Sequence, residues 1–146
     1  MKRVYNMKLS KIHKTLFVLY ALCLVYLMFL SDVRTAGGYY SYNIVPFATI
    51  KNYFINFRYF NIDTWIINIV GNVIVFVPFG LFLPLMNKRL RKPILFIVVF
   101  IAIITSLEML QFIFAVGSFD VDDILLNTIG AVIGLFITYR NKGTKS

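Results

Sequence analysis

Glu108 is followed at three residues by Gln111, then by Asp120, Asp122 and Asp123, with Asn127 a helical turn further on. Carboxylates and amides in this pattern have three chemical uses. They can hydrogen-bond across helices and keep a bundle in register, while Asp122 or Asp123 caps the helix that follows, whose start favours negative charge. They can recognise a polar head group. Or the carboxylates can hold a divalent ion against a lipid pyrophosphate, since hard cations prefer carboxylate oxygens. The last use is the weakest. No His, Cys or Lys accompanies these acids, and no nucleophile–base pair can be named. No catalytic residue, metal or cofactor is therefore expected.

These residues must be positioned by elements that lie in lipid. The chain has 146 residues, 60% of them hydrophobic and 14% charged. A soluble domain of this size could not bury so much apolar surface. A bilayer core about 30 Å thick needs about 20 apolar helical residues. Four stretches qualify, at about 15–30, 65–86, 93–116 and 124–139. Helix is expected in each, because lipid cannot satisfy free backbone groups. Glu108 falls inside the third stretch, where a charged residue is costly and usually faces the bundle interior or a wet cavity. The single cysteine, Cys23, excludes an intrachain disulfide.

Twelve of the fifteen basic residues sit in the leader 1–14, in the link Lys88–Lys92 and at the C-terminal end from Arg140. That bias predicts a cytoplasmic N-terminus and a cytoplasmic tail at 141–146, with the first and third loops outside. The net charge of +9 therefore points to membrane topology and not to nucleic acid. The first stretch reads as an uncleaved anchor, since no small-residue cleavage site follows it. His13 reads as a solvated member of the basic leader.

The outer segment 39–60 is crowded with aromatic residues, which favour the membrane–water interface. Phe47, Ile50, Phe54 and Phe57 recur at helical spacing, with Thr49, Asn52 and Asn56 on the other side, as in an amphipathic helix lying on the surface. An internal repeat is also legible. Phe60–Phe76 aligns without gaps with Phe119–Leu135, matching Asp63 to Asp122, Asn68 to Asn127 and Gly71 to Gly130. It predicts two helical hairpins of like orientation. Gly130 and Gly134 give the fourth span a smooth face for close packing.

Four segments together resemble the VanZ-like family: NIVPFATI (Asn43–Ile50), NIVGNVIVFVPFGLFLPL (Asn68–Leu85), the Glu108–Gln111 pair, and FDVDDILLNTIGAVIG (Phe119–Gly134). The resemblance implies that Asn43, Pro46 and Phe47 form the first motif, and Asn72, Phe76, Pro78, Phe79 and Gly80 the second. Glu108 and Gln111 form the third, and Asp120, Asp122, Asp123, Asn127 and Gly130 the last. Gly117 and Ser118 stand where family members often carry an arginine. The family takes its name from a protein associated with resistance to the glycopeptide antibiotic teicoplanin. The resemblance thus implies a cell-envelope protein that lowers susceptibility to teicoplanin-like glycopeptides. The residues are compatible with a non-enzymatic action in which the outer acidic and amide cluster engages a lipid head, a cell-wall precursor or a positively charged group. The alternative is a membrane-embedded enzyme or carrier for a lipid-linked wall intermediate. The expected fold is all-α: four membrane helices within residues 15–140, plus the outer interfacial helix.

Overall fold

A computed structural model describes residues 2–30 and 41–143. Tyr39 and Tyr40 of the aromatic segment, and any cleavage site in 31–40, lie outside the described residues. Four helices have the length and composition to cross a membrane. They are α1 (Lys2–Phe29), α3 (Ile62–Met86), α4 (Pro93–Ile113) and α5 (Val121–Gly143), and the short α2 (Ala48–Ile55) lies in the first loop. The chain is an all-α multi-pass membrane protein.

The four long helices are not equivalent. In the apolar window of α5, 44% of residues are buried, against 11% in α1. Thus α5 is the central helix and α1 packs at the side. The α3–α5 contact is the closest, and glycine makes it possible. A Cβ on Gly130 would fall 1.9 Å from the Val73 carbonyl oxygen, and one on Gly134 would fall 2.0 Å from that of Val77. Gly80 meets Ala131 and Leu135 in the same way from the α3 side. Helices in lipid associate largely by such packing. A fan of rings fills the remaining interior, with Phe100 edge-on to Phe76 and Phe79 at centroid distances of 5.8 and 5.5 Å.

Pro84 deprives the Gly80 carbonyl of its helical donor, and lipid offers no substitute. The buried Thr138 hydroxyl of α5 lies 3.3 Å from that carbonyl oxygen and 3.2 Å from its own Gly134 carbonyl, and so serves both. Further along α3, Ile66–Gly71 forms a π-helical turn. Such turns are uncommon and cluster at functional sites.

Helix α1 docks through Phe17 and Tyr20, both edge-on to Phe79, and the Tyr20 hydroxyl donates to the Val75 carbonyl. It begins at Lys2, so the basic leader is helical and continuous with the first span. His13 is half-buried, with its ring 6.4 Å from that of Phe82, instead of solvated. The His13–Phe82 contact sets the start of α1 beside the end of α3, and Thr138 sets the end of α5 there too. Lys11, Lys14, Lys88, Arg89, Arg91 and Arg140 therefore share one end of the bundle. Asp63, Asp120, Asp122 and Asp123 share the other.

Helix α2 is shorter than its aromatic spacing suggests. Phe47 lies just before it with a left-handed backbone, φ 65°, and Phe57 falls in a 3-10 turn after it. The exposed rings of Phe54 and Phe57 meet Trp65 edge-on at 5.8 and 6.1 Å.

Candidate functional site

At the acidic end the first and third loops are fastened together. Tyr42–Asn43 pairs in parallel with Phe119–Asp120 as a two-residue bridge. Asn43 folds the chain back on itself, its side-chain oxygen accepting from the Val45 N–H at 3.0 Å. Its amide donates to Asp120 at 3.1 Å and to the Thr49 hydroxyl at 3.0 Å. Pro46 and the left-handed Phe47 complete the turn and aim the start of α2 at Asp122. A left-handed backbone is unfavourable for a bulky residue and persists only where its surroundings enforce it.

That enforcement comes from Asp122, which is fully buried. One oxygen accepts from the Phe47 N–H; the other accepts from Thr49 and Ile50 N–H at 2.8 and 3.0 Å. These are the orphan donors of a helix N-terminus, where a carboxylate is favoured by both hydrogen bonding and the helix dipole. The sequence suggested that Asp122 or Asp123 caps the fourth span. The cap there is Asp120, which accepts from the Asp122 N–H at 2.8 Å. Asp122 caps a different helix, distant in the chain, because the parallel bridge places α2 over the start of α5. The other Asp120 oxygen accepts from the Thr49 hydroxyl at 2.6 Å.

Asp123 points toward α3 and accepts from the Asn72 amide at 2.7 Å. It also lines a shallow recess at the same end with Thr64, Asn68, Gly117 and Ser118. Gly117 packs on Gln111, since a Cβ there would sit 3.4 Å from that of Gln111. The Tyr53 hydroxyl has its pKa raised above 10, first by burial and then by Asp123 and Asp120.

Beneath this rim lies a second polar group. Glu108 and Asn127 are buried and, with Asn72, form the polar part of the wall of a cavity of about 240 Å³. Leu27 on α1 and Ile67 on α3 also line it, and both are exposed, so its mouth opens on the surface that lipid covers. Gly71, at the end of the π-helical turn, lines it too. Gln111 does not join this wall. Its amide donates to the Met28 carbonyl at 2.9 Å and ties α4 to α1. Among the described residues, the Asn127 and Gln111 side-chain oxygens are buried without a hydrogen-bond partner.

The eight candidate polar residues thus separate by place. Asn43, Asp120 and Asp122 fasten the rim, Asp123 with Asn72 joins rim to cavity, Glu108 and Asn127 lie at its wall, and Gln111 bonds α1. Of the framework residues, Phe76, Phe79, Gly80, Gly130 and Gly134 build the core. Sequence reasoning missed Thr49, assigned to the solvated face of α2, and Tyr20, which pins α1. The repeated segments have unlike surroundings. Asp63 is exposed while Asp122 is buried, and Asn68 bonds its own helix at Thr64 while Asn127 faces the cavity. A Cβ on Gly71 would make an ordinary 3.7 Å contact with the Ile66 carbonyl oxygen, where one on Gly130 would collide with Val73.

The VanZ/LLP1 family model matches residues 17–141. The chain belongs to that family. It is 32% identical over 125 residues to Protein VanZ of Enterococcus faecium, an alignment covering 82% of this chain and 69% of that one. No solved structure matches it. For this member of the VanZ/LLP1 family, the geometry gives the resemblance a physical basis. The NIVPF and FDVDD segments are distant in sequence and meet at the rim, where each satisfies the other's polar groups.

Proposed function

We propose that this VanZ-family protein lowers susceptibility to teicoplanin-like glycopeptides by a non-enzymatic action at the outer face of the cell membrane. Its family membership carries the reading. The charge polarity of the bundle supports the topology. Basic residues favour the cytoplasmic side of a membrane, so the basic end, with both termini, faces inward and the fastened acidic rim faces out. Two features favour a binding or shielding role over turnover. Both oxygens of Asp120 and both of Asp122 are committed to bonds within the chain. The rim they organise presents a braced aromatic helix, with Phe54 and Phe57 exposed beside Trp65. An acylated antibiotic or a lipid-linked wall precursor would meet that surface where it enters the bilayer.

The test is expression in a susceptible Gram-positive host, with inhibitory concentrations measured for teicoplanin and vancomycin. The expected result is a rise for teicoplanin that an Asp122→Asn variant, present in the membrane at equal amount, no longer gives. An unchanged response to both antibiotics would sink the proposal.

A further inference from the structure

Helix α2 turns a different charge to its surroundings from that of the rim that braces it. Of Asp63, Asp120, Asp122 and Asp123 at this end, Asp120 and Asp122 are buried, with their oxygens bonded within the chain. Asp123 is half-buried and accepts from Asn72, while Asp63 is exposed. Lys51 in α2 and Arg58 in the 3-10 turn after it are both exposed, and neither is salt-bridged among the described residues. Between them lie the exposed Phe54 and Ile55. The spacing i, i+3, i+4 and i+7 sets all four along one side of a helical segment, so cations bracket apolar side chains on a single stripe.

That stripe lies at the depth where a bilayer ends. Phe54 and Phe57 touch Trp65, which is in the first turn of α3, and tryptophan favours the membrane–water interface. At 59% and 68% exposure, Phe54 and Ile55 belong among acyl chains. The stems of Lys51 and Arg58 can follow the same surface while their heads reach the layer above. That layer is made of phosphodiester heads. Helices of this kind bind through apolar area together with attraction to anionic lipids. A helix can also hold an anion at its N-terminus, but Asp122 already occupies that of α2. The attraction therefore falls to the two side chains. We infer that the exposed face of α2 is a docking site for anionic phospholipid, with the phosphodiester head between Lys51 and Arg58 and the acyl chains on Phe54 and Ile55.

Trp65 is the chain's one tryptophan and lies against this face, so its fluorescence reports which lipids gather there. The test places full-length protein in phosphatidylcholine bilayers holding a small share of lipid brominated high in its acyl chains. Quenching by brominated phosphatidylglycerol is compared with quenching by brominated phosphatidylcholine. A cation near an anionic surface favours the charged lipid about fivefold, so the ratio of association constants should lie between about five and about thirty at low salt. It should fall towards unity in about 1 M salt, where the Debye length is about 3 Å. The double variant Lys51→Gln, Arg58→Gln alters only exposed residues and should also bring it towards unity. Lys51→Arg with Arg58→Lys keeps both charges and should keep the preference, as should Lys88→Gln with Arg89→Gln at the other end of the bundle. No preference in the parent chain overturns the site. A preference that survives the loss of Lys51 and Arg58, or that goes with Lys88 and Arg89, overturns its assignment to α2. Competition by inorganic phosphate at constant ionic strength would mean a soluble anion and not a lipid. No antibiotic enters the measurement, so it can fail while the resistance reading stands, and the reverse.

Discussion

Replacing Asp122 by Asn is the sharpest perturbation of the rim, because it preserves shape and removes one acceptor oxygen and the charge. The carboxylate serves the Phe47, Thr49 and Ile50 N–H groups with two oxygens. An amide keeps one oxygen and turns an NH2 group toward the remaining N–H donors. If it keeps Thr49 and Ile50 it loses Phe47, and if it keeps Phe47 it loses the other two. Each hydrogen bond to a charged group contributes about 1.5–3 kcal/mol. The charge at the helix start contributes about 0.3–1 kcal/mol more. The loss is therefore about 2–4 kcal/mol, or about thirtyfold to several-hundredfold in the local opening equilibrium at a factor of ten per 1.4 kcal/mol. The left-handed Phe47 backbone, which the carboxylate holds in place, adds to the release. Amide hydrogen exchange in nanodiscs reads this directly, since α2 should open as a local unit. Protection at Phe47, Thr49 and Ile50 should fall by that factor while α3 and α5 keep theirs. Asp123→Asn is the control, because the Phe47, Thr49 and Ile50 N–H groups donate to Asp122, whereas Asp123 accepts from the Asn72 amide of α3. Protection at Thr49 and Ile50 within twofold of the parent chain would refute the account of the rim.

Three further outcomes follow from the same geometry. Thr49→Val keeps the backbone bonds but removes the hydroxyl shared by Asn43 and Asp120, and should cost about 1–3 kcal/mol of α2 protection while global unfolding is unchanged. Gly130→Ala sets a methyl against the Val73 carbonyl and should destabilise the α3–α5 pair by about 1–3 kcal/mol, measured by reversible unfolding in detergent; an unaltered midpoint would show that the helices part without cost. Tyr53 has its pKa raised above 10, so its neutral form is the one the fold favours; its contribution to stability is full below pH 10 and falls as pH rises beyond it. Tyr53→Phe should therefore flatten the alkaline decline of thermal stability, and an identical decline in both chains would remove Tyr53 as its source.

Much of this architecture was legible in the residues. Runs of apolar residues with scattered asparagines are expected to be helices in lipid, and the grouping of basic residues at alternate links agrees with their sharing one end of the bundle. Glu108, Asn127 and the aspartates stood out because polar groups in such surroundings need a reason. The pairing of the rim did not. Asp122 has the look of a local helix cap, and local reading assigned it to its own helix, but a two-residue parallel bridge brings α2 closer to it. Thr49 was hidden for a related reason: helical periodicity assigns a face but cannot say that a distant aspartate covers it. The repeat marks α3 and α5 as similar helices, while burial depends on what packs against them. Asp63 and Asp122 share a motif and an end of the bundle, yet one is exposed and the other buried.

The rim clamp also bears on the order in which the protein is made. Phe47 and Asp122 are 75 residues apart. At a synthesis rate of about 5–20 residues per second, α2 waits roughly 4–15 seconds for the carboxylate that completes it. During that interval its first turn is uncapped and Phe47 has no cause to hold its left-handed backbone. The first loop therefore settles only after Asp122 is made, although it is among the first parts to be translated. Its closure needs the first and third loops at the same end of the bundle, because only there can Asp122 reach the start of α2.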